Sequence, residues 1–460
     1  MKARWAAWWA ALLAAALIAG CGGGAGSADA GAPEEPAPTT ATPAPDVQAG
    51  PATCAVADQR AWLRAWLQEQ YLWPSELRLP DEAALSMDAY YRSMLPTQDR
   101  FSFTQLTESY RAFSEEGSRI GFGYSLVFTD AQRTTLKVRH VESLSPVGLA
   151  GLRRGETVLS LDGYGPQAIA AGLPAPAGQA GVPRQFVVRD AAGAVRSFTA
   201  VSAVYPLTPV GAPSVIALET AAGPRRVGYL AYHDFLDNSA GALGAAFSQF
   251  ASSGVTDLVL DLRYNGGGSV TMARNLASLI AGRGLEGWPF ILLRFNSAQA
   301  QSNSRFDFIA TRGVFQTDPL QGLNRVVVIA SPSTASASEL LVNGMRPYRS
   351  VALVGETTFG KPFGFVPRDA CGTTYLALNF ETINSLGEGG YTAGLAPDCG
   401  VADDLDHALG DPAEGRLAAA LGLIATGSCP ASAPANAQAL RRLPQPQPPL
   451  GDVWPPVLLP

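Results

Sequence analysis

The fold is decided by a stretch in the second half of the chain, VVVIASPSTASASELL, residues 326–341. Five apolar residues lead into a Ser-rich turn, and a helical pattern follows the turn. A short continuous apolar run indicates a strand that is buried on both faces. The segment therefore predicts one strand–turn–helix unit of an α/β sheet, with Ser336 in the turn.

Further apolar strand patterns lie on both sides of this unit, and helical patterns separate several of them. They fall at residues 226–230, 257–262, 351–354 and 375–380. Together they predict that residues 205–428 form a mixed or parallel central sheet covered by helices.

The composition agrees with a large folded core. The chain has 460 residues, of which 47% are hydrophobic and 16% charged, so we expect two to four domains and neither a coiled coil nor extensive disorder. The net charge is −6 and no basic run stands out, which argues against nucleic acid as a partner.

The amino-terminus has the layout of an export signal. Two basic residues precede an apolar run at residues 5–18, which is too short for a spanning helix. Its end resembles a bacterial lipobox, so we predict a lipoprotein signal peptide at residues 1–20 and a lipid on Cys21. An ordinary secretory signal cut near residues 22–26 is the alternative.

The residue after Cys21 is Gly22 rather than Asp, which in lipoproteins favours the outer membrane. We therefore expect a chain anchored in the bacterial cell envelope and facing the periplasm. Residues 21–53 are rich in Gly, Ala and Pro and are predicted to be a flexible tether.

Four cysteines remain in the exported chain, and an even number there suggests disulfides. Three pairings are possible; we favour Cys371–Cys399, within the core, and Cys54–Cys429, between the ends of the folded region. Free buried thiols are the alternative. No cysteine spacing matches a zinc site.

Three other regions flank the core. Residues 54–116 show helical spacing of aromatic and aliphatic residues and predict an N-terminal helical domain. Residues 117–204 change to short strands and turns. Residues 429–460 are Pro-rich and are predicted to form a tail.

Residues 117–204 resemble a PDZ domain of the bacterial protease type in the order of their elements. Gly121, Phe122, Gly123 and Tyr124 match its carboxylate-binding loop. Such a loop offers backbone N–H groups to a peptide carboxyl-terminus, and the peptide adds to the sheet as a strand. A small β-domain with a Gly-rich loop is the alternative.

Two more segments of the core carry chemistry beside Ser336. LDLRYNGGG, residues 260–268, runs from a strand into a Gly-rich turn that lets a ligand approach the backbone. It lacks the ending of a phosphate-binding loop. VGETTFGKP, residues 354–362, contains Lys361, one of only three lysines in the chain. A buried lysine can lose its proton and act as a base, which arginine cannot.

A Ser–His–Asp triad is the competing arrangement. The three histidines are His140, His233 and His407, and none lies in a Gly-rich or Ser-rich turn. We therefore favour a lysine base and interpret the histidines as structural or surface residues.

Together these segments resemble the carboxy-terminal processing, or tail-specific, serine proteases. The resemblance rests on Ser-Ala-Ser-Glu at 336–339, Val-Gly-Glu-Thr-Thr-Phe-Gly-Lys at 354–361 and the Gly-rich loop. It implies an α/β (α+β) protease core with a PDZ-like domain before it. It also implies Ser336 as nucleophile, Lys361 as base, and Gly268 and Ala337 as oxyanion-hole donors.

One position departs from the family pattern. Many members have Gln four residues after the lysine, where it orients the amine, and this chain has Phe365. A phenyl ring cannot accept a conventional hydrogen bond from the amine. It could desolvate Lys361 instead, or mark a weakened or inactive enzyme.

The leading hypothesis is an envelope-anchored serine endopeptidase that cleaves proteins or peptides near free carboxyl-termini, with no metal or other cofactor required. A non-catalytic peptide-binding lipoprotein of the same fold is the second hypothesis. A hydrolase of non-peptide esters or cell-wall material is the third.

Overall fold

The computed structural model describes residues 50–323, 325–430 and 450–451. The predicted signal peptide, Cys21, nearly all of the tether and most of the Pro-rich tail lie outside these residues. Within them, every helix is too short or too polar to cross a bilayer.

The N-terminal segment is mainly helical, as its spacing predicts, but it also contains one strand. Its elements are α1 (Val56–Gln70), α2 (Met87–Met94), β1 (Phe103–Leu106) and α3 (Thr107–Ser114). Stacked and edge-on aromatic rings fill its interior, and β1 pairs with a strand of the core. The segment therefore packs directly on the core formed by residues 205–428.

Residues 117–204 form a β-rich segment, as their short strand patterns predict. The elements are β2 (Ser118–Gly121), β3 (Tyr124–Phe128), β4 (Leu136–Val141), α4 (Pro146–Leu149), β5 (Thr157–Leu161), α5 (Pro166–Ala170), β6 (Pro183–Arg189), β7 (Val195–Val201) and β8 (Ala203–Pro206). Strands β3 to β7 make one antiparallel sheet. A short strand near the end of the chain, β21 (Leu450–Gly451), pairs with the outer edge of β3.

The core of the molecule is built around a six-stranded sheet. Its elements are β9 (Ser214–Thr220), β10 (Gly223–Ala231), α6 (Ala240–Ser252), β11 (Asp257–Asp261), α7 (Val270–Ala281), β12 (Pro289–Phe295), β13 (Ser304–Asp307), α8 (Arg312–Phe315), β14 (Arg325–Ala330), α9 (Ala337–Met345), β15 (Val351–Gly355), β16 (Phe363–Phe365), β17 (Arg368–Ala370), β18 (Thr373–Leu376), β19 (Leu378–Asn384), β20 (Cys399–Gly400) and α10 (Gly415–Thr426). The sheet order is β20-β15-β14-β11-β10-β9, and only β9 runs antiparallel to its neighbour.

Both faces of this sheet are covered. Helices α6, α7 and α9 pack on one face and α10 on the other. Burial on both sides explains why β11 and β14 have continuous apolar sequences instead of alternating ones. The predicted mixed α/β class with a largely parallel sheet is confirmed.

The prediction of one strand at residues 375–380 is wrong. That run is divided between β18 and β19, which belong to two different sheets. Both strands are buried, β18 against the N-terminal segment and β19 in the sheet with β12 and β16. An apolar run looks the same when it passes between two sheets as when it forms one strand.

The favoured disulfide pairing is also wrong, although all four cysteines are paired. The bonds are Cys54–Cys371 and Cys399–Cys429. Cys371 lies in the turn between β17 and β18, and that hairpin faces the N-terminal segment. Cys399 lies in β20 at the sheet edge, beside the end of α10. Which cysteines pair is decided by which segments lie together in the folded chain, and the spacing of the cysteines in the sequence does not reveal this.

Candidate active site

Three loops converge at one edge of the central sheet. They follow β11, β14 and β15, which are adjacent and parallel. Because the carboxyl ends of parallel strands lie at the same edge, residues separated by about a hundred positions meet there. The three segments singled out in the sequence are these loops.

Ser336 is held in a strained turn at the start of α9. Its φ is +54° and its ψ is −114°, a combination that a non-glycine residue rarely adopts. Its side chain is partly exposed, while the residues on either side are buried. A serine hydroxyl presented from a tight strand-to-helix turn is the arrangement of hydrolase nucleophiles.

The Gly-rich loop packs directly against this turn. Gly267 has φ +108°, and a Cβ built there would lie 2.8 Å from Ser336 Cβ and 2.9 Å from the Ala337 nitrogen. Gly268 has φ +130°, and its Cβ would lie 2.4 Å from the Phe235 carbonyl oxygen. Side chains are therefore excluded at both positions by conformation and by space.

Two backbone N–H groups at this contact have no hydrogen-bond partner among the described residues. They belong to Gly268 and Ala337, and Gly268 and Ser336 line one cavity. The Ala337 group also lies at the N-terminus of α9, where the helix dipole favours negative charge. These are the donors that an oxyanion would need.

Asn265 holds the Gly-rich loop, which carries Gly268, against the serine turn, which precedes Ala337. Its side-chain amide donates to the Tyr232 carbonyl and its Oδ1 accepts from the Gly267 N–H. Its own carbonyl accepts from the Ala335 N–H and the Ser338 hydroxyl, at 3.1 Å each. One buried asparagine thereby connects the Gly-rich loop to both sides of Ser336.

Lys361 faces the same cavity from the third loop. Its side chain is 1% exposed, and Nζ has no hydrogen-bond partner within the described part of the chain. Nζ lies 3.6 Å from the centre of the Phe365 ring. Burial lowers the pKa of Lys361 well below its ordinary value of 10.5, and the negative charges of Asp99 and Glu339 only partly oppose this effect.

Glu339 joins the lysine loop to the serine turn. Its carboxylate accepts from the N–H groups of Ser336, Gly360 and Lys361 at 2.7–3.0 Å, and from the Thr358 hydroxyl. Its spacing of three residues from Ser336 is that of a capping box, a signal that the sequence analysis did not use.

A cavity of about 390 Å³ opens beside these groups. Ser336, Lys361 and Gly268 all line it, and the rest of its wall is largely apolar, including Leu293 and Phe380. The structure therefore brings together the two proposed catalytic side chains and one proposed donor. The cavity therefore offers an apolar wall beside a hydroxyl, an amine and the Gly268 backbone.

Sequence reasoning missed the contribution of the N-terminal segment. Arg100 donates to the carbonyls of Phe359, Gly360 and Thr392, beside Lys361. Asp99 precedes it and acts on the lysine electrostatically. These residues lie about 260 positions from Lys361, and no local pattern marks them.

The 117–204 segment touches the back of the site. Arg139 of β4 donates to Ser333 Oγ at 3.3 Å and stacks over the Tyr264 ring, 4.9 Å from its centre. Ser333 belongs to the serine turn and Tyr264 to the Gly-rich loop. One side chain from the β-rich segment thus contacts both loops that carry the donors.

The predicted peptide-binding loop lies between β2 and β3. Gly121 and Gly123 have φ of +146° and +86°, and Phe122 and Tyr124 bury their rings in the core of the β-rich segment. A ligand at this loop would therefore meet mainly backbone.

The histidines lie away from the cavity. The rings of His140 and His233 lie 4.6 Å apart, tilted against each other, in a partly buried cluster with Glu142, and His407 is exposed and pairs with Asp404. Within the described residues, no group of His, Cys, Asp and Glu could hold a metal ion.

The fold and the partly exposed serine at its strand-to-helix turn are those of a serine-type hydrolase, and comparisons with known proteins agree with that class. Residues 226–401 match the profile of Peptidase family S41. The C-terminal processing peptidase of the Tetradesmus obliquus chloroplast is 26% identical over 66% of this chain and 63% of its own length. The carboxyl-terminal-processing protease of Synechocystis is 26% identical over 62% of this chain and 63% of its own length.

A crystal structure supports the fold. A Bacteroides fragilis protein assigned to the S41 proteases superposes with a TM-score of 0.63 at 22% identity, covering 79% of this chain and 96% of that one. The chain spans just under two thirds of the length of the two curated relatives. Within residues 226–401 the chain resembles peptidase family S41, and over a longer span it is similar to the carboxy-terminal processing proteases.

Proposed function

We propose that this chain is a serine endopeptidase that uses Ser336 as nucleophile and Lys361 as general base. The observation that carries the proposal is the shared cavity, in which a hydroxyl, a desolvated amine and an unpartnered backbone N–H meet. The amine and the N–H group in particular would be costly to bury without a use for them.

The chemistry follows from the protonation state of the amine. A neutral Lys361 can take the Ser336 proton as Oγ attacks a peptide carbonyl carbon, and the resulting ammonium can protonate the leaving amine. The acyl group on Oγ is then released by water that the neutral amine activates. Proton transfer requires Oγ and Nζ to approach to about 3 Å, and such contacts commonly tighten when substrate binds.

The oxyanion formed in each step would be stabilised by the N–H groups of Gly268 and Ala337. A donor of this kind typically contributes about 3–4 kcal/mol to transition-state stabilisation. Both groups are preorganised, one by the Gly-rich loop and the other by the start of α9, so little reorganisation is needed when charge develops.

The substrate class follows from two surfaces. The apolar cavity suits an unstructured apolar segment, and the β-rich segment suits a carboxyl-terminal tail. The outer edge of β3 pairs antiparallel with Leu450–Gly451 at Ser125 and Leu126, next to the Gly121–Gly123 loop. The pairing supports strand addition at this edge, where a substrate tail would compete with β21.

We further propose that the chain is lipid-anchored through Cys21 in the bacterial cell envelope, at the outer membrane and facing the periplasm. The apolar run at residues 5–18, the cysteine that follows it and the paired cysteines of the folded region support this location. Mass spectrometry of the membrane-extracted protein should find an acylated amino-terminal Cys21, and Cys21→Ser should release the chain from membranes.

The activity is tested by labelling with a fluorophosphonate probe and by cleavage of an unstructured peptide with an apolar carboxyl-terminus. We expect wild type to be labelled on Ser336 and to cleave the peptide, and Ser336→Ala to do neither. Ser252→Ala, an exposed serine at the end of α6, is the matched control and should behave as wild type. Full turnover in Ser336→Ala would refute the assignment.

A non-catalytic peptide-binding lipoprotein is the second candidate. It is favoured by one observation, that Nζ of Lys361 contacts a phenyl ring and does not hydrogen-bond to Ser336. This candidate predicts tail binding without any labelling of Ser336, so the same probe experiment decides between the two.

A further inference from the structure

The environment of the Lys361 amine is unusual for a buried nitrogen. Within the described residues Nζ has no hydrogen-bond acceptor, and it lies over the face of the Phe365 ring, 3.6 Å from the ring centre. A ring face carries partial negative charge and attracts the hydrogens of an amine or ammonium. The contact between Nζ and the ring is therefore weakly attractive, and it takes the place of a hydrogen-bond acceptor for the amine.

The ring is held in place by its own packing. Phe365 ends the edge strand β16, and its ring meets Phe103 of β1 edge-on at 5.7 Å. The preceding Gly364 lies so close to Phe380 that a Cβ would be 2.1 Å from that ring. The following residue, Val366, donates its N–H to Asn379 at 2.6 Å. The contact with Lys361 is thus set by the strand.

The charged groups around the lysine are already occupied by other partners. The Glu339 carboxylate accepts four hydrogen bonds from the two catalytic loops. The Asp99 carboxylate accepts from Tyr71 and from the N–H groups of Phe101 and Ser102, as well as the Ser102 hydroxyl. The Arg100 guanidinium faces backbone carbonyls. Both carboxylates favour the ammonium at a distance, but neither holds it.

We propose that Phe365 is the positioning residue for the Lys361 base, whose ring face holds the amine in the cavity while leaving the nitrogen lone pair free for the Ser336 proton. The inference rests on the proposed function. An acceptor in place of the ring would hold an N–H and favour the charged form, whereas an aliphatic side chain would keep the amine dry without attracting it.

The ring therefore gives the Lys361 amine a pKa between that expected beside a hydrogen-bond acceptor and that expected beside an aliphatic side chain. Substitutions of Phe365 toward either kind of side chain should shift this pKa in opposite directions. With Phe365→Gln, an amide oxygen near Nζ should raise the pKa of Lys361. With Phe365→Leu, loss of the ring face should lower it by about half a pH unit. Phe365→Tyr keeps the ring, so the pKa of Lys361 should stay at its wild-type value.

The scarcity of lysine makes this measurable without any activity. The chain has three lysines, so the ¹³Cε signals of lysine-labelled protein are few, and Lys361→Met identifies the one of interest. We expect its titration midpoint to follow the order Leu, then Phe and Tyr, then Gln at position 365. The midpoint of the pH dependence of Ser336 labelling should follow the same order, and Phe365→Leu should also lower the maximal rate several-fold.

Equal midpoints in the Leu, Gln and wild-type proteins would overturn the inference. If Phe365→Gln does not fold, the comparison of Leu, Phe and Tyr decides alone, and equal midpoints among those three also overturn it. The proposed function fails separately, because it fails when wild type is not labelled on Ser336 at any pH, whatever position 365 does to the titration of Lys361.

Discussion

Two basic residues of this molecule are equally buried but have opposite surroundings. Arg263 and Lys361 are each 1% exposed. Arg263 donates to the carboxylates of Asp261 and Glu414, each through two hydrogen bonds, and to Asp403. Lys361 makes no side-chain hydrogen bond within the described residues.

The difference in hydrogen-bond partners distinguishes a basic residue that stabilises the fold, Arg263, from one that is available for proton transfer, Lys361. The anions around Arg263 raise its pKa well above the ordinary value, so it stays charged. Desolvation without a direct partner does the reverse to Lys361. Burial alone therefore does not indicate whether a basic residue has a catalytic role. The presence or absence of anionic partners does, because it decides the direction of the pKa shift.

The largest effect should come from Lys361→Met, which keeps the length and apolar stem but removes the amine. We expect labelling of Ser336 to slow by about 10⁴-fold or more, because the base is lost. The free energy of unfolding should stay equal or rise, because burying an amine without a hydrogen bond costs more than its weak contact with the Phe365 ring contributes. Labelling rates and urea unfolding measure the two.

Lys361→Arg is the companion variant. Arginine cannot lose its proton near neutral pH, so it should be as inactive as Lys361→Met, and it should be less stable because it forces a charge into the same space. A rate within tenfold of wild type in either variant would show that Lys361 is not the base.

The next effect concerns stability and comes from Arg263→Met. Removing this guanidinium leaves Asp261 and Glu414 buried without their main partner, which costs about 3–5 kcal/mol of unfolding free energy. Denaturant unfolding at neutral pH measures it. The comparison would break down if this variant were no less stable than Lys361→Met.

Arg294→Met is the matched control for Arg263. Arg294 pairs with Glu381 at the surface, where its side chain is 58% exposed. Solvent screens such a pair, so we expect a loss of less than about 1 kcal/mol. Losses of similar size in the two arginine variants would mean that burial does not amplify the ion pairs.

Much of the site was predictable from sequence because its parts lie in short, contiguous segments. The Ser336 turn, the Gly-rich loop and Lys361 each follow an apolar strand, and parallel strands bring their ends together at one edge. The fold class followed from the same strands. For these segments, the local sequence pattern that predicts a strand and its following loop also predicts where the loop lies in the fold.

The remainder depends on contacts between distant segments. Nothing near Asp99 or Arg100 indicates that they lie beside Lys361, and nothing near Cys54 indicates Cys371 as its partner. The departure at Phe365 was visible in the sequence, but its consequence depends on where the ring lies relative to Nζ. The tertiary structure sets that distance, and the sequence around Phe365 does not indicate it.

The smallest effect, and the most direct check of the contrast with Arg263, is the pH dependence of stability. The pKa of Lys361 is well below 10.5 in the folded chain and ordinary in the unfolded chain. Between the two values the unfolded state binds more protons than the folded state, so the free energy of unfolding rises with pH. The cost of burying Lys361 therefore disappears as pH approaches 10.5, and it is greatest at low pH.

Wild type should accordingly gain stability relative to Lys361→Met as pH rises from 6 to 10, by at most about 1.4 kcal/mol per pH unit. Urea unfolding of both proteins across this range measures the difference. Arg294→Met, which removes a guanidinium charged throughout the range, should differ from wild type by a constant amount. A constant difference for Lys361→Met as well would mean that the folded chain buries a charged ammonium without a direct partner, and the distinction between the two cations would then have no basis in protonation.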